Sequence, residues 1–473
     1  MIVGRKKEIE ILNNALNDNI SHFIAMYGRR RVGKTFLIKE TFSGRFTFSH
    51  AGLFNGKLSE QLYAFNDSLK NHGLDNKKVP KSWLEAFSLL KDLINLSKEK
   101  KKIIFIDELS WMDNNKANFI GGLENFYNSF VSLRDDIVLI VCGSSTSWML
   151  NKVIHNKGGL YNRLTEQINL KPFTLKECEE YVYENNLSMS KLEILNAYMI
   201  FGGVPFYWKK LDRRYSLSQN IDYLFFNKQG LLKDEYKYLY ASIFKKPEGY
   251  IKIIETLSKK KSGLTREEIV DIGNINNSGD LSIKLEELEA CGFIQSYIPY
   301  GNKKKGTVYQ LVDFFTIFYF EFLKNKPSDE NYWSNQLNNP KINTWLGYSF
   351  ERVCFMHTNQ IKQALGISGI QTSFNSFRNN ENKQLGINGC QIDMLIVRKD
   401  NVINICEMKY CNTLYSIDKE FNESINNKIN SFNIITNNKK YSIKPILITT
   451  YGLNDNEYRN SITNLVTLQD LFK

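Results

Sequence analysis

Three short apolar runs frame the first third of the chain. They are Ser21–Tyr27, Lys101–Asp107 with its Ile103-Ile104-Phe105-Ile106 centre, and Ile137–Cys142. Runs of this kind read as buried strands. Helical patterns separate them, and a helix is expected after Lys34. Strands alternating with helices predict a parallel sheet covered by helices over residues 1–170.

The pattern then changes. Residues 171–240 read as mainly helical, with a break at Gly202-Gly203 before Pro205. Residues 241–322 predict a helix over Tyr250–Leu257 and a second after Thr265, an N-cap with Glu268 as capping-box partner. A third spans Leu281–Cys291 and stops at Gly292. Strand-like Phe293–Tyr300 and Thr307–Val312 flank the basic tip Lys303-Lys304-Lys305. Three helices and a hairpin form a winged helix-turn-helix pattern. Phe314–Phe322 reads as a packing helix. The polar, Asn-rich stretch 323–340 reads as a linker. Residues 341–473 read helix, strand, strand, strand, helix, strand, helix. The fold class expected is α/β multidomain.

Composition narrows the setting. Seven cysteines form no CxxC pair, which fits reduced thiols better than a disulfide frame or a zinc site. No apolar run reaches the ~18 residues of a membrane span, and the N-terminus lacks a signal peptide's apolar core. A cytoplasmic protein with no membrane partner is expected. The net charge of +12 favours a polyanionic partner, although Lys- and Asn-rich composition also follows genome base bias.

The sharpest motif is Gly28-Arg29-Arg30-Arg31-Val32-Gly33-Lys34-Thr35 after the first strand. Gly-x4-Gly-Lys-Thr between a strand and a helix is the Walker A pattern. Its amides surround phosphate oxygens, Lys34 reaches the β- and γ-phosphates, and Thr35 places a hydroxyl on Mg2+. Asp107 ends the second apolar strand, where it can hold the Mg2+ shell, and Glu108 is placed to polarise water. Ser144, after the third strand, is a sensor candidate, though small residues there also simply turn the chain. Arg163 is a candidate for stabilising transition-state charge, in cis or from a neighbouring subunit, against its reading as a surface cation.

Taken with Val3-Gly4-Arg5, Leu160-Tyr161-Asn162-Arg163 and Gly202-Gly203-Val204-Pro205, these motifs make residues 1–320 resemble the archaeal-type ATPases, a STAND-related AAA+ group. The resemblance implies ATP with Mg2+ as cofactor. It implies that Val3, Gly4 and Arg5 lie near the adenine, and that Gly202–Pro205 belongs to a helical lid. It also implies an ATP-gated switch; no clear sensor arginine stands in the lid.

Residues 341–473 carry a second constellation. Asp393 lies on one strand-like run, Glu407-Met408-Lys409 on the next, and Glu351 on the leading helix. Glu407 and Lys409, two apart, share a strand face. Asp393 joins them if the hairpin loop is Lys399-Asp400-Asn401, a three-residue loop whose left-handed position Asn401 tolerates. Two carboxylates can hold Mg2+ or Mn2+ at a scissile phosphate, and Lys409 can act on water. The set resembles the PD-(D/E)xK restriction-endonuclease-like fold, with Ile392 in place of the usual proline. That resemblance implies a nuclease site of Glu351, Asp393, Glu407 and Lys409, or a degenerate one kept for binding. The combined expectation is an ATP switch coupled to DNA and to metal-dependent cleavage. A non-cutting regulator or scaffold is the alternative, and a homo-oligomer or protein partner is compatible with either.

Overall fold

The computed structural model describes residues 2–113, 117–244, 246–302, 304–325, 327–336, 339–381, 384 and 387–473. Five strands, β1 His22–Tyr27, β2 Phe48–Ala51, β3 Lys102–Asp107, β4 Ile137–Gly143 and β5 Glu166–Asn169, form one sheet in the order β2-β3-β4-β1-β5. Every neighbouring pair is parallel. Helices cover both faces, so alternate residues of a strand enter different cores. Phe23, Ile104 and Leu139 face one way; Ile24, Phe105 and Ile140 face the other. The three predicted apolar strands are the three central ones. The unforeseen strands, β2 and β5, are edges of four residues each, with no long apolar run to betray them.

Parallel pairing brings the carboxyl ends of β1, β3 and β4 to one edge of the sheet, with β4 between the other two. The Gly28–Thr35 loop, Asp107 and Ser144 follow those ends, and ligands of open α/β sheets bind at such an edge.

Residues 175–241 are mainly helical, with capping boxes at Thr174/Glu177 and Ser190/Glu193. Helices Glu248–Ser258, Arg266–Gly273 and Gly279–Ala290 follow. They accompany a small antiparallel sheet of β6 Leu264–Thr265, β7 Ile294–Tyr297 and β8 Val308–Leu311, in the order β6-β8-β7. Thr265 caps its helix as expected: its Oγ1 accepts from the Glu268 amide at 3.2 Å. Of the three tip lysines, Lys303 lies outside the described residues, and Lys305 forms an exposed pair with Glu267 at 3.4 Å.

The last sheet is mixed: β9 Thr372–Asn379, β10 Cys390–Arg398, β11 Val402–Lys409, β12 Ser442–Thr449 and β13 Asn464–Thr467, ordered β13-β12-β11-β10-β9. β9, β10 and β11 pair antiparallel, whereas β11, β12 and β13 pair parallel. Helix Pro340–Met356 leads into this sheet.

The linker expected at 323–340 is overturned. Trp333, on helix Tyr332–Asn335, is buried and packs edge-on against Phe322 and Trp345, with ring centroids 5.2 and 5.9 Å away. The Asp222 carboxylate accepts from the Trp333 and Ser334 amides at 2.7 and 3.0 Å. Polar composition misled here because one tryptophan does the anchoring. One core cluster runs from Val3 through the 175–241 helices and residues 248–323 to Phe472. The later parts of the chain therefore pack as a block, although their sequence patterns change.

His357 joins that block. Its Nε2 accepts from the Leu175 amide at 3.1 Å, so Nδ1 is the protonated nitrogen that donates to the Val353 carbonyl at 2.8 Å. Burial lowers its pKa to about 4. Burial lowers that of His50 equally.

Two measurements check this packing. Trp333→Ala should cost about 3–5 kcal/mol in denaturant unfolding, the usual cost for a core aromatic, whereas a linker residue would stay within ~0.5 kcal/mol. For the histidines the folded pKa lies below the unfolded value of 6.5. Stability should therefore be complete above pH 6.5 and fall as pH drops towards 4, by up to roughly 3 kcal/mol per histidine. Thermal melting across that range should show a shallower slope for His357→Gln, which cannot take up the proton.

Candidate nucleotide site and acidic cleft

Gly28 and Gly33 adopt positive φ of 139° and 93°. A Cβ on Gly28 would sit 2.4 Å from the Leu170 carbonyl oxygen, so the loop lies directly against the chain leaving β5. Lys34 is buried, and its ammonium donates to the carbonyls of Gly28 and Arg29 at 2.8 and 3.0 Å. Thr35 Oγ1 donates to Asp107 Oδ2 at 2.5 Å. Glu108 Oε2 accepts from the Ser144 amide at 3.2 Å and its hydroxyl at 2.7 Å. A lysine held only by carbonyls can turn to phosphates. A hydroxyl beside a carboxylate is an oxygen donor set that suits Mg2+. The residues thus fit a nucleotide with its metal, and the Ser144 hydroxyl, the sensor candidate, is bonded to Glu108.

The arginines of the loop require a correction. The motif places Arg29, Arg30 and Arg31 among the nucleotide ligands, but their side chains point to other elements. Arg29 pairs with Asp313, both buried. Burial works against the Arg29 charge, yet Asp313 outweighs it and the pKa rises. Arg30 donates to the Ser242 carbonyl at 2.8 Å. Arg31 pairs with Glu235, and its guanidinium stacks 4.3 Å over Phe206. Only their backbone amides remain for phosphate. Val32 packs in the core beneath the sheet.

Val3, Gly4 and Arg5 meet the helical segment. Arg5 is buried 4.7 Å over the Phe173 ring, and its amide donates to Glu177 Oε1 at 3.3 Å. The Phe173 amide donates to the Gly203 carbonyl at 2.6 Å. A Cβ on Gly203 would come within 1.9 Å of the Phe173 oxygen, which explains the glycine. Arg163 is exposed, in a turn before β5; among the described residues its side chain has no hydrogen bond or ion pair.

At the other end, the hairpin loop spans residues 399–401, with Asn401 at φ 63°. The register pairs Met394 with Cys406. Continued one step, that register would set Asp393 across from Glu407. A register shift between Ile392 and Leu395 against β9 falls at the same place, where a bulge re-aims a side chain. Glu351, Asp393, Glu407 and Lys409 line one cleft of about 610 Å³ together with Lys261 and Gln310. Burial first, then the Asp393 charge, pushes the Glu351 carboxyl up to about 8.

The expected metal ligation is not preformed. Among the described residues no three His, Cys, Asp or Glu side chains are arranged to hold a metal ion. Glu407 is paired with Lys428, and Asp393 accepts from Gln391 Nε2 at 2.5 Å. Glu351, Asp393 and Glu407 share a cleft without closing a cage, so the set as placed does not fit a resident metal. Asp313, Glu235, Arg352 and Lys428 escaped the sequence reading. They belong to no local motif, and only the Asp313–Thr316 cap spacing marked any of them.

Residues 2–211 match the family model described as an ATPase domain predominantly from Archaea. The uncharacterized protein MJECL04 of Methanocaldococcus jannaschii is 27% identical over 371 residues, 75% of this chain and 76% of its own. The uncharacterized ATP-binding protein MJ0423 of the same organism is 55% identical over 40 residues, 8% of this chain and 68% of its own. Among solved structures, the Walker-type ATPase PABY2304 of Pyrococcus abyssi aligns with a TM-score of 0.47 at 17% identity. It covers 68% of this chain and 96% of that one. The Aeropyrum pernix ORC2 protein aligns at 0.39 and 14% identity, over 75% and 95%. No described helix is long and apolar enough to cross a membrane.

Lys34→Ala should weaken ATP binding at least tenfold, about 1.4 kcal/mol or more, by titration calorimetry. Ser144→Ala should leave binding nearly intact and lower steady-state hydrolysis, because it frees Glu108 without touching the loop.

Proposed function

We propose that this chain, whose residues 2–211 carry an ATPase domain of a predominantly archaeal family, is an ATP-dependent switch whose output is the acidic cleft, acting on a nucleic-acid backbone. The observation that carries the reading is the cleft itself. Its carboxylates and Lys409 come from the C-terminal sheet and helix 340–356, while Lys261 and Gln310 come from the 248–311 unit. In this reading the latter unit is a winged helix, and a polyanion would be held between the two.

The charge distribution supports the same direction. The chain carries a net +12, yet three carboxylates gather in one cleft. Carboxylates facing a phosphate need a cation between them, and Mg2+ sites commonly combine one or two carboxylates with substrate phosphates. Because Glu351, Asp393 and Glu407 close no cage by themselves, any such cation would have to arrive with the substrate phosphate, and Lys409 would stand by the scissile group. DNA is the partner most in keeping with the wing and the basic charge. Exposed Arg163 would reach the nucleotide of a neighbouring copy in a homo-oligomer. The alternative, a non-cutting regulator, draws on the Glu407–Lys428 pair, which occupies one of the acids.

The test is nicking of single- and double-stranded DNA by the full chain with Mg2+ or Mn2+. Cleavage should appear and fall at least tenfold, about 1.4 kcal/mol of transition-state stabilisation, in Asp393→Asn. Salt-dependent DNA binding with no cleavage, unchanged by Asp393→Asn, would leave the regulator. Absence of both would sink the nucleic-acid reading.

A further inference from the structure

Arg352 sits beside the acidic cleft and has no part in its proposed chemistry. It is buried, yet its guanidinium donates only to main-chain carbonyls: Nε to Leu311 at 3.2 Å, Nη1 to Tyr348 at 2.9 Å and Nη2 to Lys261 at 2.9 Å. Lys261 and Glu351, the sequence neighbour of Arg352, both line the cleft. A rigid planar fork on helix 340–356 that holds the Lys261 and Leu311 carbonyls fixes the spacing between that helix and the 248–311 unit.

Leu311 leads directly to the nucleotide loop. It ends β8, and Asp313 follows two residues later. The amides of Val312 and Asp313 both donate to the Phe293 carbonyl, at 2.9 and 3.2 Å. Asp313 pairs with Arg29 of the phosphate loop, whose guanidinium lies 4.9 Å over the Phe293 ring. Asp313 Oδ2 also takes the Thr316 amide at 3.0 Å and hydroxyl at 2.6 Å, so the carboxylate is fixed from both sides.

The loop end of this chain has one contact that a phosphate would alter. Lys34 holds the Arg29 carbonyl, a bond that phosphates would draw away. Arg29 is thus held by Lys34 through its carbonyl and by Asp313 through its side chain, so a move of Lys34 onto phosphate bears on the residue that grips Asp313.

We propose that Arg352 is a positioning residue through which nucleotide binding sets the width of the acidic cleft, by way of Arg29, Asp313 and Leu311. The relay rests on the reading of that cleft as the switch's output, but its existence does not depend on cleavage. Each of its links is a hydrogen bond, an ion pair or adjacent main chain, which is more than spatial intermediacy.

Hydrogen exchange on the full chain tests it, with ADP and with a non-hydrolysable ATP analogue. In the wild type the analogue should slow exchange both at 28–35 and at 346–356, the latter about fivefold, the lower end of usual coupling factors. In Asp313→Asn and in Arg352→Gln, residues 28–35 should still respond and 346–356 should not. A wild-type response confined to 28–35 overturns the relay. So does an undiminished response at 346–356 in both variants. Because no step requires cleavage, a protein that never nicks DNA still confirms or refutes the relay by exchange, and a nuclease indifferent to nucleotide refutes the relay alone.

Discussion

The buried pair of Arg29 and Asp313 is the contact on which the arrangement turns. A guanidinium placed out of water is tolerated only with a partner, and removing one member of such a pair leaves a charge worth about 3–5 kcal/mol of destabilisation. Replacing both by apolar residues would be far cheaper, so stability alone does not account for the pair. Its two ends do. One lies in the loop that meets phosphate, and the other lies between the small antiparallel sheet and the aromatic helix 314–318. Arg31 and Glu235 repeat the device toward the helical segment. The phosphate loop is thus fastened by its own variable positions to two parts of the chain beyond the parallel sheet. A change in loop geometry has somewhere to go.

What it reaches is a single packed block. The helical segment is stitched to the C-terminal region by His357 on Leu175 and by Tyr410 Oη, which donates to Asn196 at 2.9 Å. Tyr410 directly follows Lys409. The core cluster that includes Val204 and Phe225 also includes Met408 and Ile448 on one face of the last sheet. The helical segment joined this way cannot move relative to the C-terminal region without breaking close packing.

The sequence disclosed most where a residue's type and its neighbours carry the constraint together. Gly28, Gly33, Lys34 and Thr35 are legible because a tight anion-binding turn admits few alternatives, and Asp107 because an acid closing an apolar run is conspicuous. Asn401 is legible too, since a three-residue hairpin needs a left-handed position. Long-range partners are not. Nothing around Glu235 or Asp313 marks them as the counterions of Arg31 and Arg29, because partners so far apart along the chain leave no periodicity. Trp333 fails for the opposite reason: one anchoring side chain is outvoted by the polar residues around it. Glu351, Asp393 and Glu407 line one cleft, but strand parity says nothing of whether carboxylates converge.

That last gap has a physical meaning. Burial and the neighbouring Asp393 and Glu407 charges raise Glu351, which means that the cleft disfavours three anions at once. Lys428 neutralises Glu407, and Lys409 lines the same cleft. Lys428 thus meets part of the cleft's negative charge, and burial holds Glu351 toward its neutral form. Widening or narrowing the gap between Lys261 and Glu351 by even an ångström would alter the desolvation of that acid. This makes the spacing set by Arg352 a chemically meaningful variable, and it is why the charge state of the cleft should depend on the position of the block and not on its sequence alone.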